Sequence, residues 1–159
     1  MIEHGCKRTT EVIDFELSLG PWDINQIRGL AEEIELQPKF VGAFELASRS
    51  LLLPLIHVQS GLGVDFAFSP SDYLDQAIIR APRHRIKRYP VAVAAVEDLI
   101  IRKVIANRPL DRNDIEELLL RHAQRIDLAY MDRWLAQFEQ LIDAPLRETF
   151  RELLEQSRQ

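Results

Sequence analysis

Apolar residues recur along this chain of 159 residues with two different periods. From Thr10 to about Ala94 the chain reads as short strands, turns and one or two helices, the strands alternating as if one face were covered. From Val96 onward apolar residues return every three or four residues, the period of an amphipathic helix. A chain written this way is constrained to an α+β architecture, a small sheet with flanking helices followed by a helical part. The change of texture divides it into residues 1–95 and 96–159. No low-complexity linker or internal repeat separates the two, so they read as parts of one compact unit.

The clearest strand is Val12–Leu17, where Ile13, Phe15 and Leu17 share one face and Val12, Asp14 and Glu16 the other. It stops at Leu19-Gly20-Pro21. Asp23 and Gln26 have the spacing of a capping box, opening a helix with Ile24, Ile27, Leu30, Ala31 and Ile34 on one face and a limit before Pro38. Residues 40–50 are ambiguous, with a short helix as one reading. Pro54–Gln59 and Val64–Phe68 form a hairpin across Ser60-Gly61-Leu62-Gly63, whose glycines admit positive φ. Ser69-Pro70-Ser71-Asp72 starts a helix that runs to Arg80, with a serine cap and proline in the first turn. After a basic stretch comes a short strand, Val91–Ala94.

The later helices are delimited by prolines and caps. Val96, Leu99, Ile100, Lys103 and Val104 fall at helical spacing and end near Asn107-Arg108-Pro109. Asp111 is expected to cap a helix with Ile115, Leu118 and Leu119. Asp127 is expected to cap one with Leu128, Met131, Trp134, Leu135 and Phe138, and Pro145 to open the last, with Leu146, Phe150, Leu153 and Leu154.

Composition narrows the classes of function. Hydrophobic residues are 47% of the chain, enough to exclude general disorder. A formal net charge of −5 excludes a polycation that coats nucleic acid, though not a local basic patch. Cys6 is the single cysteine, so no internal disulfide and no cysteine zinc site can form. The longest apolar runs, Leu51–Ile56 and Val91–Val96, are too short to span a bilayer, and the start lacks a signal core. The expectation is a soluble cytoplasmic protein without a membrane partner.

Carboxylates on strands carry the sharpest chemical signal, because aspartate is depleted there. Asp14 interrupts a β-favouring run, Glu16 shares its face, and Asp65 is turned away from the apolar side of Val64-Asp65-Phe66-Ala67-Phe68. If those strands are neighbours, Asp14 and Asp65 converge. Carboxylate oxygens suit Mg²⁺, which keeps substrate phosphates and waters in its shell. The alternative is a solvated acidic face on an open sheet.

Several residues, in order, resemble a family. Gly5, Arg8-Thr9-Thr10 and Ile13-Asp14-Phe15 are similar to the segment G-x-x-R-(A/S/T)-T-x-D-(I/V)-D of minimal nucleotidyltransferase-fold proteins, including the AbiEii-type toxin-antitoxin nucleotidyltransferases. Val64-Asp65-Phe66 is similar to the family's third-carboxylate strand. Val96-Glu97-Asp98-Leu99-Ile100 with Lys103, then Arg108-Pro109-Leu110-Asp111 and Asp114-Ile115, is similar to its helical stretch, and Asp127-Leu128 with Trp134-Leu135 to its ending. The resemblance covers Gly5 to Leu135 and implies a nucleotidyltransferase-like small mixed sheet followed by helices. It further implies Mg²⁺-dependent transfer of a nucleotide from a nucleoside triphosphate to an RNA or protein hydroxyl. In that reading Asp14 and Asp65 are catalytic and metal-binding. Lys103, Arg8, Thr10 and Arg108 contact the nucleotide.

Two departures bear on activity. The family's Gly-Gly or Gly-Ser turn, which cradles phosphate, does not precede Arg8, as in a chain shortened at its N-terminus. Val12 stands where the first metal aspartate would, and valine cannot ligate a cation. Glu16 offers a geometrical substitute as a metal ligand. Two functions therefore stay open: an impaired nucleotidyltransferase, or a non-catalytic binding module of a toxin-antitoxin-type system, acting with a partner protein or a second copy.

Other signals read as structural. Lys103 otherwise snorkels at a helix edge, and Asp111 and Asp114 serve a helix start. Arg80, Arg83, His84, Arg85, Lys87 and Arg88 are either a phosphate-contacting run or a charge-protected hairpin edge. Gly61-Leu62-Gly63 is a hairpin turn rather than a nucleotide loop, and His57 and His122 lack a second histidine at metal spacing.

Overall fold

β-Branched and aromatic residues alternating with acids form β1 (Val12–Leu17), and the same alternation forms β4 (Gly63–Phe68). The computed structural model describes residues 12–19, 23–68, 71–122 and 124–157. Between β1 and β4 lie α1 (Ile24–Glu33), β2 (Leu36–Pro38), α2 (Ala43–Ser50) and β3 (Leu52–His57). The four strands make one sheet in the order β1-β4-β3-β2. β1 runs parallel to β4, while β3 is antiparallel to both β4 and β2, so the sheet is mixed.

Register decides which side chains share a face. Ile13, Phe15 and Leu17 lie opposite Val64, Phe66 and Phe68, and Leu53 and Leu55 of β3 lie opposite Phe66 and Val64. The strand residues Leu53, Leu55, Val64, Phe66 and Phe68 join Ile27 and Ala31 of α1 and Ala43, Phe44 and Ala47 of α2 in one buried core. Each large side chain removed from water there contributes about 1.5–3 kcal/mol. The other face of the sheet carries Val12, Asp14, Glu16, Gly63, Asp65 and Ala67.

The chain falls into two compact units, one spanning Thr9–Ile78 and the other containing Ile79–Gln159. The first ends within α3 (Asp72–Arg80). Ser71 caps this helix, its Oγ accepting from the Leu74 N–H at 3.2 Å; Ser69, expected in that role, lies outside the described residues. The capping box expected at α1 does not form. Asp23 sits at φ −86°, ψ 27° rather than in extended backbone, and its side chain accepts no hydrogen bond from the first turn. Residues 43–50, ambiguous from sequence, are helical because Ala43, Phe44 and Ala47 reach the core from one side. At the β3–β4 turn Gly61 has φ 67°, and His57 makes a contact within the turn. Its Nδ1 lies 2.8 Å from Ser60 Oγ.

The second unit opens with an antiparallel hairpin, β5 (Arg83–Ile86) and β6 (Tyr89–Ala92), which forms its own two-stranded sheet. Four helices follow: α4 (Val96–Ala106), α5 (Pro109–His122), α6 (Leu128–Ile142) and α7 (Leu146–Gln156). α4 packs against α5, α6 and α7, and α7 also contacts α5 and α6. Ile100, Ile101, Val104, Ile115, Leu118, Leu119, Met131 and Leu135 are fully or almost fully buried. Asp127 caps α6 as expected, accepting from the Tyr130 N–H at 2.9 Å. Asp111 does not cap α5. Proline is preferred at the first helical position, so the helix starts at Pro109, and Asp111 reaches back to the Arg108 N–H at 3.3 Å. Among the described residues no helix is long and apolar enough to cross a membrane.

α6 ends with Asp143 in left-handed backbone (φ 49°, ψ 53°), a conformation that favours glycine, and with a negative charge at the negative end of the helix dipole. Asp143→Gly is expected to stabilise the protein by about 0.5–1 kcal/mol. Thermal denaturation at neutral pH should show the midpoint rising by about 2 °C, and a lower midpoint would contradict this account of the cap.

Candidate functional site

Asp14 and Asp65 are direct partners in the parallel β1–β4 register. Neighbouring strands lie about 4.8 Å apart, so the two acids leave the sheet side by side. The placement follows from strand alternation: Phe15, itself 43% exposed, meets Phe66 edge-on with ring centroids 5.9 Å apart, and the alternate residues then point the other way. Val12 lies opposite Gly63 and Glu16 opposite Ala67, on either side of the aspartate pair. On its other flank Asp65 faces Pro54, which has no N–H to donate.

Asp14 is exposed, whereas Asp65 is half-buried. Its Oδ1 is shut away from solvent without a hydrogen-bond donor among the described residues. Leaving a buried acceptor unsatisfied costs about 1–3 kcal/mol, and more where it carries charge. A cation brought to this face would satisfy that oxygen. The pair fits Mg²⁺, which is commonly held by one or two carboxylates with phosphates and waters completing the shell. Among the described residues no group of three or more His, Cys, Asp and Glu side chains converges to hold a metal ion, so Glu16 is not gathered with the aspartates into one. Arg8 and Thr10 lie outside the described residues.

In the helical unit Lys103 is not a free cation. Its Nζ donates to Asp111 Oδ1 at 3.1 Å and to Asp114 Oδ2 at 2.6 Å, and its side chain is only 12% exposed. Asn107 in left-handed backbone ends α4, and Pro109 starts α5 at once. This sharp turn carries residues eight and eleven positions along the chain back to Lys103. Arg108 grips the same Asp111 carboxylate, with Nε at 2.5 Å from Oδ2 and Nη2 at 3.1 Å from Oδ1. The Arg108 hydrogen bond, aided by Lys103 and opposed by burial, holds the Asp111 carboxyl at about 2, well below the usual carboxylate range. Arg108 itself remains largely exposed, so its outer face can meet an anion.

A second polar network had no role assigned from sequence. Glu97 and Asp98, the acids of the Val96–Ile100 stretch, are both buried. Glu97 accepts from the Asp127 N–H at 3.0 Å and pairs with Arg80 at 3.4 Å. The Arg80 guanidinium lies 3.7 Å from the Tyr130 ring centroid, and the Tyr130 hydroxyl donates to Asp98 Oδ1 at 2.7 Å. Burial, reinforced by Asp98, pushes the Tyr130 hydroxyl up, so it stays a donor at neutral pH. The available signal was two acids in the first turn of a helix otherwise apolar. Their purpose is to fix the start of α6.

Lys103→Met removes the cation from two largely buried carboxylates and is expected to destabilise the protein by about 3 kcal/mol in urea unfolding. Adding Asp114→Asn should recover part of that loss, giving a measurable coupling between the two positions. A loss below about 0.5 kcal/mol would mean that Lys103 is not held as described.

Asp111 also sets a pH dependence. Its carboxyl is lowered from 3.8 to about 2, so its stabilising contribution is complete above about pH 4 and is withdrawn as pH falls toward 2. Asp111→Asn should lower stability at pH 7 and flatten the acid limb of the stability profile over that window. An acid limb as steep as the wild type's would contradict this assignment.

No protein-family model matches the chain, and no curated protein matches it.

Proposed function

We propose that this chain is a nucleotidyltransferase-like protein whose β1–β4 face takes a nucleoside triphosphate as its Mg²⁺ complex. The observation that carries this reading is the buried Oδ1 of Asp65, without a donor among the described residues, beside the in-register Asp14. A protein that needed only to fold would place an uncharged residue there. Asp14 and Asp65 would hold the ion, which when bound offsets negative charge on the triphosphate and its departing pyrophosphate. The reaction is attack of an RNA or protein hydroxyl oxygen on the α-phosphorus. The bond to pyrophosphate breaks, pyrophosphate leaves with the electron pair, and the hydroxyl proton passes to solvent water. Val12 in the row with Asp14 makes this a weaker centre than one with a third carboxylate, so slow transfer is expected.

Binding without turnover is the second reading, as in a toxin-antitoxin-type interaction module. It is favoured by the lack, among the described residues, of a converged three-ligand group. Lys103 is held by Asp111 and Asp114, so the nucleotide reading rests on the sheet face alone.

Calorimetric titration with nucleoside triphosphates should show binding that requires Mg²⁺. Asp65→Asn should weaken it more than about tenfold while raising the midpoint of thermal unfolding without Mg²⁺, because a buried charge has been removed. Incubation with labelled triphosphate and acceptor RNA or protein then separates transfer from simple binding. Absence of Mg²⁺-dependent binding, or an Asp65→Asn protein that binds like the wild type, would sink the proposal.

A further inference from the structure

The β5–β6 hairpin concentrates positive charge in a chain whose net charge is −5. Between Asp75 and Glu97 there is no acidic residue, while Arg80, Arg83, Arg85, Lys87 and Arg88 are permanent cations. Arg80 is taken by Glu97, Asp127 and the Tyr130 ring. The other four are exposed, and none is paired with a carboxylate among the described residues. Lys103, Arg108, Arg121 and Arg147 of the same unit each have a carboxylate partner.

The hairpin register arranges these charges. Arg83 lies opposite Ala92 and Arg85 opposite Pro90, so both arginines leave the same face, about 7 Å apart, with uncharged residues across from them. Lys87 and Arg88 form the two-residue turn. Lys87 has φ 56°, in left-handed backbone that hairpin turns normally give to glycine or asparagine. A cation therefore occupies the tip against the local preference of the turn.

Protection of a sheet edge does not account for this pattern. Lys87 and Arg88 lie beyond the ladder, where there is no edge to guard, and the adjoining Ile86 and Tyr89 are exposed apolar groups that work against solubility. Insertion into a membrane is disfavoured as well. The turn cations project past Ile86 and Tyr89, so these could not enter hydrocarbon without carrying two charges with them.

Tyr89 supplies what phosphate contacts alone lack. The residue is 57% exposed. The Arg88 guanidinium lies 4.9 Å from its ring centroid and donates to its hydroxyl at 2.6 Å. An aromatic ring backed by a guanidinium, with backbone-directed arginines along the adjoining strand, is the combination that binds a single strand with an unstacked base.

We propose that the β5–β6 hairpin binds single-stranded RNA, with Arg83, Arg85, Lys87 and Arg88 on phosphates and Tyr89 under a base. This deepens the nucleotidyltransferase reading, on which the choice of RNA as acceptor rests; the binding itself rests on the hairpin alone. Fluorescence anisotropy with the full chain and a short, unstructured, labelled RNA tests it across a salt series. The variant combining Arg83→Gln, Arg85→Gln, Lys87→Gln and Arg88→Gln should bind more than about tenfold more weakly. Its log affinity should depend less steeply on log salt, by about 0.7 for each phosphate that the hairpin no longer neutralises. Tyr89→Ala should weaken binding at least about fivefold with little change in that slope. Lys39→Gln with Arg49→Gln, which removes two exposed cations from the other unit, should bind as the wild type does.

Unchanged affinity and slope in the hairpin variant would overturn the proposal. So would wild-type protein that ignores RNA but binds polyglutamate or anionic phospholipid vesicles. Triphosphate titrations run in parallel keep the two readings apart. RNA binding without Mg²⁺-triphosphate binding removes the nucleotide site and leaves the hairpin assignment standing, and the opposite result removes the hairpin assignment.

Discussion

The parallel pairing of β1 with β4 is the constraint on which the candidate chemistry depends. Five strand residues, Leu53, Leu55, Val64, Phe66 and Phe68, meet the helices α1 and α2 on one face. A slip of one residue between β1 and β4 would turn Phe15 away from Phe66 and bring the acids toward the core. Ile13 and Phe15 of β1 are 41% and 43% exposed and lie outside that cluster, so β1 is held by its ladder with β4, by Leu17 against the core and by the edge-on contact of Phe15 with Phe66. The same register sets Asp14 opposite Asp65.

The helical unit places its charges by a different logic. Asp111 and Asp114 lie near the positive end of α5 and meet Lys103 from the end of α4, with Arg108 closing over Asp111. Glu97 and Asp98 lie in the first turn of α4 and are tied to the start of α6 through Asp127 and Tyr130. In both networks acids near one helix start are joined to another element by hydrogen bonds that span the junction. Such networks fix how the helices join, beyond what apolar packing specifies.

Much of this was legible in the residues themselves. The strand Val12–Leu17 has the bounds expected of it, and a hairpin does form where it was expected, though its first arm is Leu52–His57 rather than Pro54–Gln59, because alternation and Gly61 are local signals whereas strand ends are not. The parallel sense of β1 and β4 was not legible, since it depends on a crossover through α1, β2, α2 and β3. The partners of Lys103 were hidden for a related reason. Their approach is made by left-handed Asn107 and by Pro109 at the first position of α5, the same preference that displaced Asp111 from the cap. Glu97 and Asp98 entered only through the resemblance of the Val96–Ile100 stretch, and their partners lie about thirty positions later.

What the local rules do not explain is confined to a few places. Four cations cluster on the second unit's hairpin with no carboxylate partner among the described residues, whereas Arg112 and Arg133, also without one, are spread over the helices. In the first unit Asp65 keeps a buried oxygen without a donor among those residues. The buried Asp65 oxygen costs the folded chain free energy, while the hairpin cations are solvated and concentrate positive charge at one place. Packing explains neither, because Asp65 could be uncharged without disturbing Phe66, and the hairpin turn would form more readily with glycine at residue 87. Violations of this kind are expected where a site is completed by something outside the chain. The ligand proposed for the sheet face, a metal-bound phosphate, and the one proposed for the hairpin, a phosphodiester strand, would belong to a single chemical class.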